Sequence, residues 1–116
     1  MYKLKLYKNN ELVFEKNGTK KDDIYVFENI NYNPEELILI REDNNFKYLL
    51  DFKKGEAIVT LKERNLEIKL DIKVVNVNNK EMVHEITYNI ESDELSENKI
   101  IVEIKGEVAK PDVYQL

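Results

Sequence analysis

Between Leu66 and Ile90 the chain alternates apolar and polar residues over two successive runs. Leu66, Ile68, Leu70, Ile72 and Val74 are separated by Glu67, Lys69, Asp71 and Lys73, and Met82, His84, Ile86, Tyr88 and Ile90 follow with the same spacing. Strand side chains point to opposite faces with a period of two, so each run gives a β-strand one apolar face and one polar face. On a helix the same residues would not share one stripe. The two runs predict a long antiparallel hairpin with one face on a core and one face wet.

The signature recurs along nearly the whole chain. With only three glycines and two prolines, the turns fall to Asn and Asp, which tolerate left-handed backbone and hydrogen-bond their own main chain. Tyr2 to Tyr7, a turn at Asn9-Asn10 and a return over Glu11 to Lys16 make a first hairpin. Asn17 to Asp22 reads as a polar loop, Asp23 to Glu28 as a strand, Asn29 to Pro34 as a second loop and Glu36 to Glu42 as a strand. Phe46 to Phe52 and Glu56 to Glu63 precede the long hairpin, Glu91 to Asn98 reads as an acidic loop, and Lys99 to Lys105 is a last strand. About nine short strands at regular spacing predict an all-β fold, an antiparallel up-and-down meander closed into a barrel, with a two-sheet β-sandwich as the alternative. No segment carries sustained helical periodicity. The expected organisation is a single β-barrel domain over residues 1–106 and a C-terminal tail over 107–116.

Keeping both apolar rows of the long hairpin on one face requires paired residue numbers with an even sum. Pairing Val75 with Asn79 sets Lys69 opposite Glu85 and Lys73 opposite Glu81, and those opposite charges favour it over pairing Val75 with Glu81. Leu37 to Ile40, Ile24 to Phe27 and Ile100 to Val102 are apolar on both faces and so call for burial on both. Their outer sides need a cover from the tail, a second sheet or a second subunit, and a homodimer is one such expectation.

Composition narrows the function. The chain of 116 residues has no cysteine, which removes disulfides, thiol catalysis and cysteine-ligated zinc. Its 18 Lys and Arg are dispersed among 23 Asp and Glu for a net charge of −5, which disfavours nucleic acid as a partner. No run approaches the roughly 20 apolar residues of a membrane helix, and no signal-peptide pattern opens the chain. The expectation is a cytoplasmic protein without a membrane or nucleic-acid partner. Asn17-Gly18-Thr19 matches a glycosylation sequon but reads as a polar turn.

No catalytic constellation is visible, and the chain reads as a non-enzyme without cofactor or metal. Ser92 and Ser96, the only serines, sit in the acidic stretch Glu91 to Glu97, which lacks the glycine and ligand spacing of a calcium loop. Gly18-Thr19-Lys20-Lys21 and Lys53-Lys54-Gly55 lack the glycine spacing and following helix of a phosphate loop. His84, the only histidine, falls on the inner face between Met82 and Ile86, either as a core histidine or as a polar contact in a barrel lumen.

Phe14-Glu15-Lys16-Asn17-Gly18, then Asp22-Asp23-Ile24-Tyr25-Val26 and Leu37-Ile38-Leu39-Ile40-Arg41-Glu42, resemble in their order the small bacterial lipocalin-like (calycin-type) barrel proteins of uncharacterised function. Glu67 to Ile72, Ile86 to Ile90 and the closing Ile100, Val102 and Ile104 extend the resemblance over residues 1 to 105. Arg64-Asn65 stands where that family carries a glycine-bearing turn. The resemblance implies an up-and-down barrel with a central cavity and carries no catalytic residues. Two functions follow as expectations. One is a lumen for a small apolar or amphipathic ligand, lined by His84, Tyr88, Tyr48, Met82, Leu70 and Ile72. The other is a structural or protein-interaction domain with a filled core, self-associating through apolar strand faces.

Overall fold

Each alternating segment forms a strand. In the computed structural model, which describes residues 2–79, 82–90 and 93–104, these are β1 (Tyr2–Lys8), β2 (Glu11–Lys21), β3 (Ile24–Phe27), β4 (Ile30–Asn33), β5 (Ile38–Glu42), β6 (Phe46–Asp51), β7 (Glu56–Leu61), β8 (Leu66–Asn79), β9 (Val83–Ile90) and β10 (Asp93–Ile104). Every strand pairs antiparallel with its sequence neighbours, and β10 pairs with β1 to close a ten-stranded barrel. A single 3₁₀ turn, Lys62–Arg64, is the only helical element among the described residues. The meander barrel is therefore the architecture, and the sandwich alternative falls.

The strand missing from the sequence reading is β4, where Asn29 to Pro34 had the composition of a loop. Asn31 and Asn33 disfavour a strand locally, yet Ile30 and Tyr32 alternate with them and are both fully buried. Pairing on both sides, with β3 and β5, overrides the local preference. The expected loop from Asn17 to Asp22 is mostly strand as well, because β2 runs on to Lys21. The expected Glu91 to Asn98 loop gives way in part to β10, with a register shift between Asp93 and Asn98. Glu91, Ser92 and the tail at 107–116 lie outside the described residues.

Two long strands serve both sides of the barrel. Residues 11–18 of β2 pair with β1 and 19–21 with β3, whereas 66–71 of β8 pair with β7 and 72–79 with β9. At the β2 crossover a Cβ on Gly18 would run into the Val26 carbonyl oxygen and the Phe27 ring, so the close approach of β3 requires glycine there.

The long hairpin does not adopt the expected register. Val74 pairs with Tyr88 and Asn76 with Thr87, leaving Val75 as a bulge, so neither Asn79 nor Glu81 is its partner. The Lys69–Glu85 pairing also fails, since Glu85 lies opposite Asn78, and Glu81 lies outside the described residues. An extra residue on one strand switches its face parity. The row that Ile72 and Val74 begin passes to Val77, which pairs with the buried Ile86 but is itself 38 % exposed, while Val75 on the other face is 53 % exposed.

Turns carry the expected Asn and Asp chemistry. Asn9 and Asn10 both have positive φ (52° and 66°), the backbone of a two-residue type I′ hairpin. Asp43 Oδ1 accepts the backbone N–H groups of Asn45 and Phe46 at 2.9 and 2.8 Å, and Asp51 Oδ1 accepts those of Lys53 and Lys54 at 3.2 and 3.0 Å. Inside, Leu4, Phe27, Ile30, Tyr32, Ile86 and Val102 are the largest fully buried side chains. The outer row Ile40, Leu49 and Ile58 crosses β5 to β7 and is half-buried.

Candidate functional site: an apolar cavity with one cation

Because the meander reverses at each turn, the hairpin loops fall alternately at two ends of the barrel. The 9–10, 28–29, 43–45 and 62–65 turns share one end, and 22–23, 34–37 and 52–55 share the other. A cavity of about 280 Å³ lies toward the first end. Two cross-strand rows form one wall: Ile30, Arg41, Tyr48 and Val59 lie side by side on β4 to β7, and Leu39, Leu50, Ala57 and Leu70 lie beside one another on β5 to β8. Leu6, Tyr88, Ile90 and Ile100 on β1, β9 and β10 form the other wall. Ala57 is 3 % exposed, and its short side chain leaves room between its larger neighbours.

Arg41 is the only charged residue in this lining. Its guanidinium lies 5.6 Å from the centre of the Phe14 ring, so it reaches from β5 toward the part of β2 that has left β3. No carboxylate lies within ion-pair distance of it among the described residues. Lys16 spans the same seam and pairs with Glu28 at 2.7 Å. Tyr88 packs against Phe52 with ring centres 5.2 Å apart, and burial pushes its phenol up to about 12, so it stays a neutral hydroxyl at ordinary pH.

Of the residues expected to line a lumen, Tyr48, Tyr88 and Leu70 come together in this cavity. Ile72 is instead a core residue, 5 % exposed, and Met82 precedes β9. His84 is separate from the cavity. Its row continues through the fully buried Val102 and Leu4, and the row beside it begins with the buried Ile86, so packed side chains fill the lumen at that depth.

His84 belongs to an aromatic cluster with Tyr25 and Tyr32, at ring-centre distances of 5.8 and 6.5 Å with near-perpendicular planes. Tyr2 meets Tyr25 edge-on at 5.2 Å, and Lys20 Nζ sits 5.5 Å from the Tyr25 ring centre. Desolvation, with a smaller push from Lys20, lowers the His84 pKa and favours neutral imidazole. Burial, reinforced by Tyr25, raises Tyr32 to about 12. His84 Nδ1 and Tyr32 OH are both buried without a hydrogen-bond partner among the described residues.

The lining residues missed in the sequence had a readable signal in part. Leu39 and Arg41 share the parity of an apolar strand, and a charge on the inward parity marks a polar group facing a lumen. Ala57, small among Val59 and Leu61 on one face, marks volume left open. At the other end Asp22, Asp23, Glu35 and Glu36 flank a surface depression with Lys53. No three His, Asp or Glu side chains are placed to hold a metal ion among the described residues. No helix of the described residues is long and apolar enough to cross a membrane. No protein-family model, curated protein or solved structure matches the chain.

Proposed function

We propose that the protein is a binding module for a small amphipathic anion, an apolar chain with a carboxylate end, related to the bacterial calycin-type barrels and working in the cytoplasm. The observation that carries this reading is the single guanidinium in an otherwise apolar and phenolic lining. Ligand pockets are mainly apolar with a few polar groups that set orientation. At about 30 Å³ per non-hydrogen atom, a cavity of about 280 Å³ holds roughly ten such atoms, the size of a medium-chain acid. Arg41 meets a carboxylate with two parallel N–H donors, and the chain lies among Leu39, Leu50, Ala57 and Leu70. Tyr48, beside Arg41 on β6, offers a further hydroxyl donor.

Calorimetric titration with octanoate, decanoate, decanol and decylamine tests this reading. The acids bind, the alcohol binds at least about tenfold more weakly and the amine does not, because a hydrogen bond to a charged partner contributes about 1.5–3 kcal/mol. Arg41→Met abolishes the preference for acid over alcohol, and Ala57→Leu blocks both. Equal affinity for acid and alcohol in the wild type, or no binding of either, refutes the proposal.

A further inference from the structure

Among the described residues, the first half of β8 presents an open sheet edge. Residues 66–71 pair with β7, whereas β9 joins β8 only from Ile72 onward, and no strand covers the other edge of 66–71 among the described residues. Ile72 donates its N–H to Gly55 O at 3.0 Å, on the β7 side. Backbone groups alternate sides along a strand, so Leu66, Ile68 and Leu70 also turn theirs toward β7, and Glu67, Lys69 and Asp71 turn theirs outward. The same stretch exposes Leu66 by 45 % and Ile68 by 41 %. Glu67 and Lys69 are exposed and enter no ion pair among the described residues. An uncovered ladder beside an exposed apolar row is a template for another strand.

The sequence of this edge is complementary to itself. Set antiparallel to a second copy about Ile68, Leu66 faces Leu70, Ile68 faces Ile68, and Glu67 faces Lys69 in both directions. The outward-pointing Glu67 and Lys69 then form the hydrogen-bonded pairs of the new ladder, and the apolar rows of the two copies share one face. A shift to the next register that preserves those faces sets Glu67 against Glu67 or Lys69 against Lys69. Like charges directly opposite each other are destabilising, so the alignment centred on Ile68 is favoured over both adjacent registers, and it also pairs more of the 66–71 stretch than one centred on Leu70.

We infer that the chain forms an isologous dimer in which β8 of one copy adds to β8 of a second, joining their β3–β8 sheets across a two-fold axis at Ile68. The interface adjoins the cavity proposed above, sharing Leu70 with its wall, but it rests on the backbone edge of β8 and does not depend on a bound ligand. Sedimentation velocity of the full chain from about 1 to 500 μM tests it. The wild type shifts from monomer to dimer over that range. Glu67→Lys sets two ammonium groups against each other at both cross-strand pairs, Lys69→Glu sets two carboxylates there, and each substitution alone weakens association on the order of ten- to a hundredfold. The double swap restores the dimer, and mixing the two single variants gives a heterodimer. Because the chain has no cysteine, Ile68→Cys supplies a second test, since a non-hydrogen-bonded pair brings Cα atoms to about 4.5 Å, within disulfide reach. Mild oxidation then yields a covalent dimer. A wild type monomeric throughout, a dimer unaffected by either single swap, or an Ile68→Cys chain that does not cross-link overturns the inference.

Discussion

Replacing Gly18 by alanine tests whether the β2 crossover is held by close packing. Gly18 pairs with Tyr2 on β1, and the next residue, Thr19, pairs with Val26 on β3. The new methyl group meets the Val26 carbonyl oxygen and the ring of Phe27, and Phe27 is fully buried. The ring has nowhere to retreat, so Val26 must move. Overpacking of this kind costs about 1–3 kcal/mol. The β2–β3 ladder has three residue pairs, from Thr19↔Val26 to Lys21↔Ile24, and losing one of its hydrogen bonds adds about 1 kcal/mol. Alanine also restricts the unfolded chain, which offsets about 0.4–1 kcal/mol. The net expectation is a loss of about 1–4 kcal/mol, read as a lower urea midpoint with an unchanged slope by far-UV circular dichroism. Gly55→Ala is the control: its backbone has φ 72° but its Cβ would only approach Ile72 O at 3.1 Å, so strain of about 1–2 kcal/mol is expected. A Gly18→Ala stability within about 0.5 kcal/mol of wild type would refute the close-packing argument.

Tyr32→Phe removes a buried hydroxyl that has no hydrogen-bond partner among the described residues, and it stabilises the protein by about 1 kcal/mol; a loss of similar size in urea unfolding would mean the hydroxyl is satisfied. Because the folded-state pKa values of Tyr32 and Tyr88 are raised from 10.0 to about 12, their contribution is complete below pH 10 and is lost as pH rises through about 12. Melting temperatures from about pH 9 to 12 should fall, and fall less in Tyr32→Phe. The His84 pKa is lowered in the fold, so the unfolded chain binds the extra proton: stability is complete above the ordinary value of 6.5, declines as pH drops below it, and levels off beneath the folded-state value. His84→Phe abolishes that decline, whereas the depressed Glu42 and Asp43 lose their contributions only further down, below 4.5 and 3.8; an unchanged profile between about pH 7 and 5 would contradict the desolvated setting of the ring. Ala57→Leu adds three carbons to open volume and leaves thermal stability unchanged or higher, and a drop of several degrees would show that the space is not available.

Most strands and their inward faces were legible because side-chain direction in a strand is local and repeats every two residues. Leu70, Ile72, Ile86 and Tyr88 fall on the face their alternation predicts, and Asn9-Asn10 and Asp43 make the turns their own side chains and backbone preferences favour. Long-range pairing decided the rest. Ile30–Asn33 is a strand because two neighbours pair with it, and the register of the long hairpin follows from a bulge at Val75 that an unbroken even-sum rule excludes. That bulge had a trace in the sequence, since the apolar parity changes between Val74 and Val77. The candidate site divides in the same way. Alternation placed Tyr48, Tyr88, Leu70 and His84 on inward faces, but which inward residues border open space depends on what the opposite wall supplies. Leu4, Val102 and Ile86 close the barrel around His84, whereas the short Ala57 leaves open the cavity that it lines together with Tyr88, Ile100 and Arg41. Inward direction is therefore a property of sequence, while volume and depth belong to the closed barrel, because they are set by side chains that meet only when β10 pairs with β1.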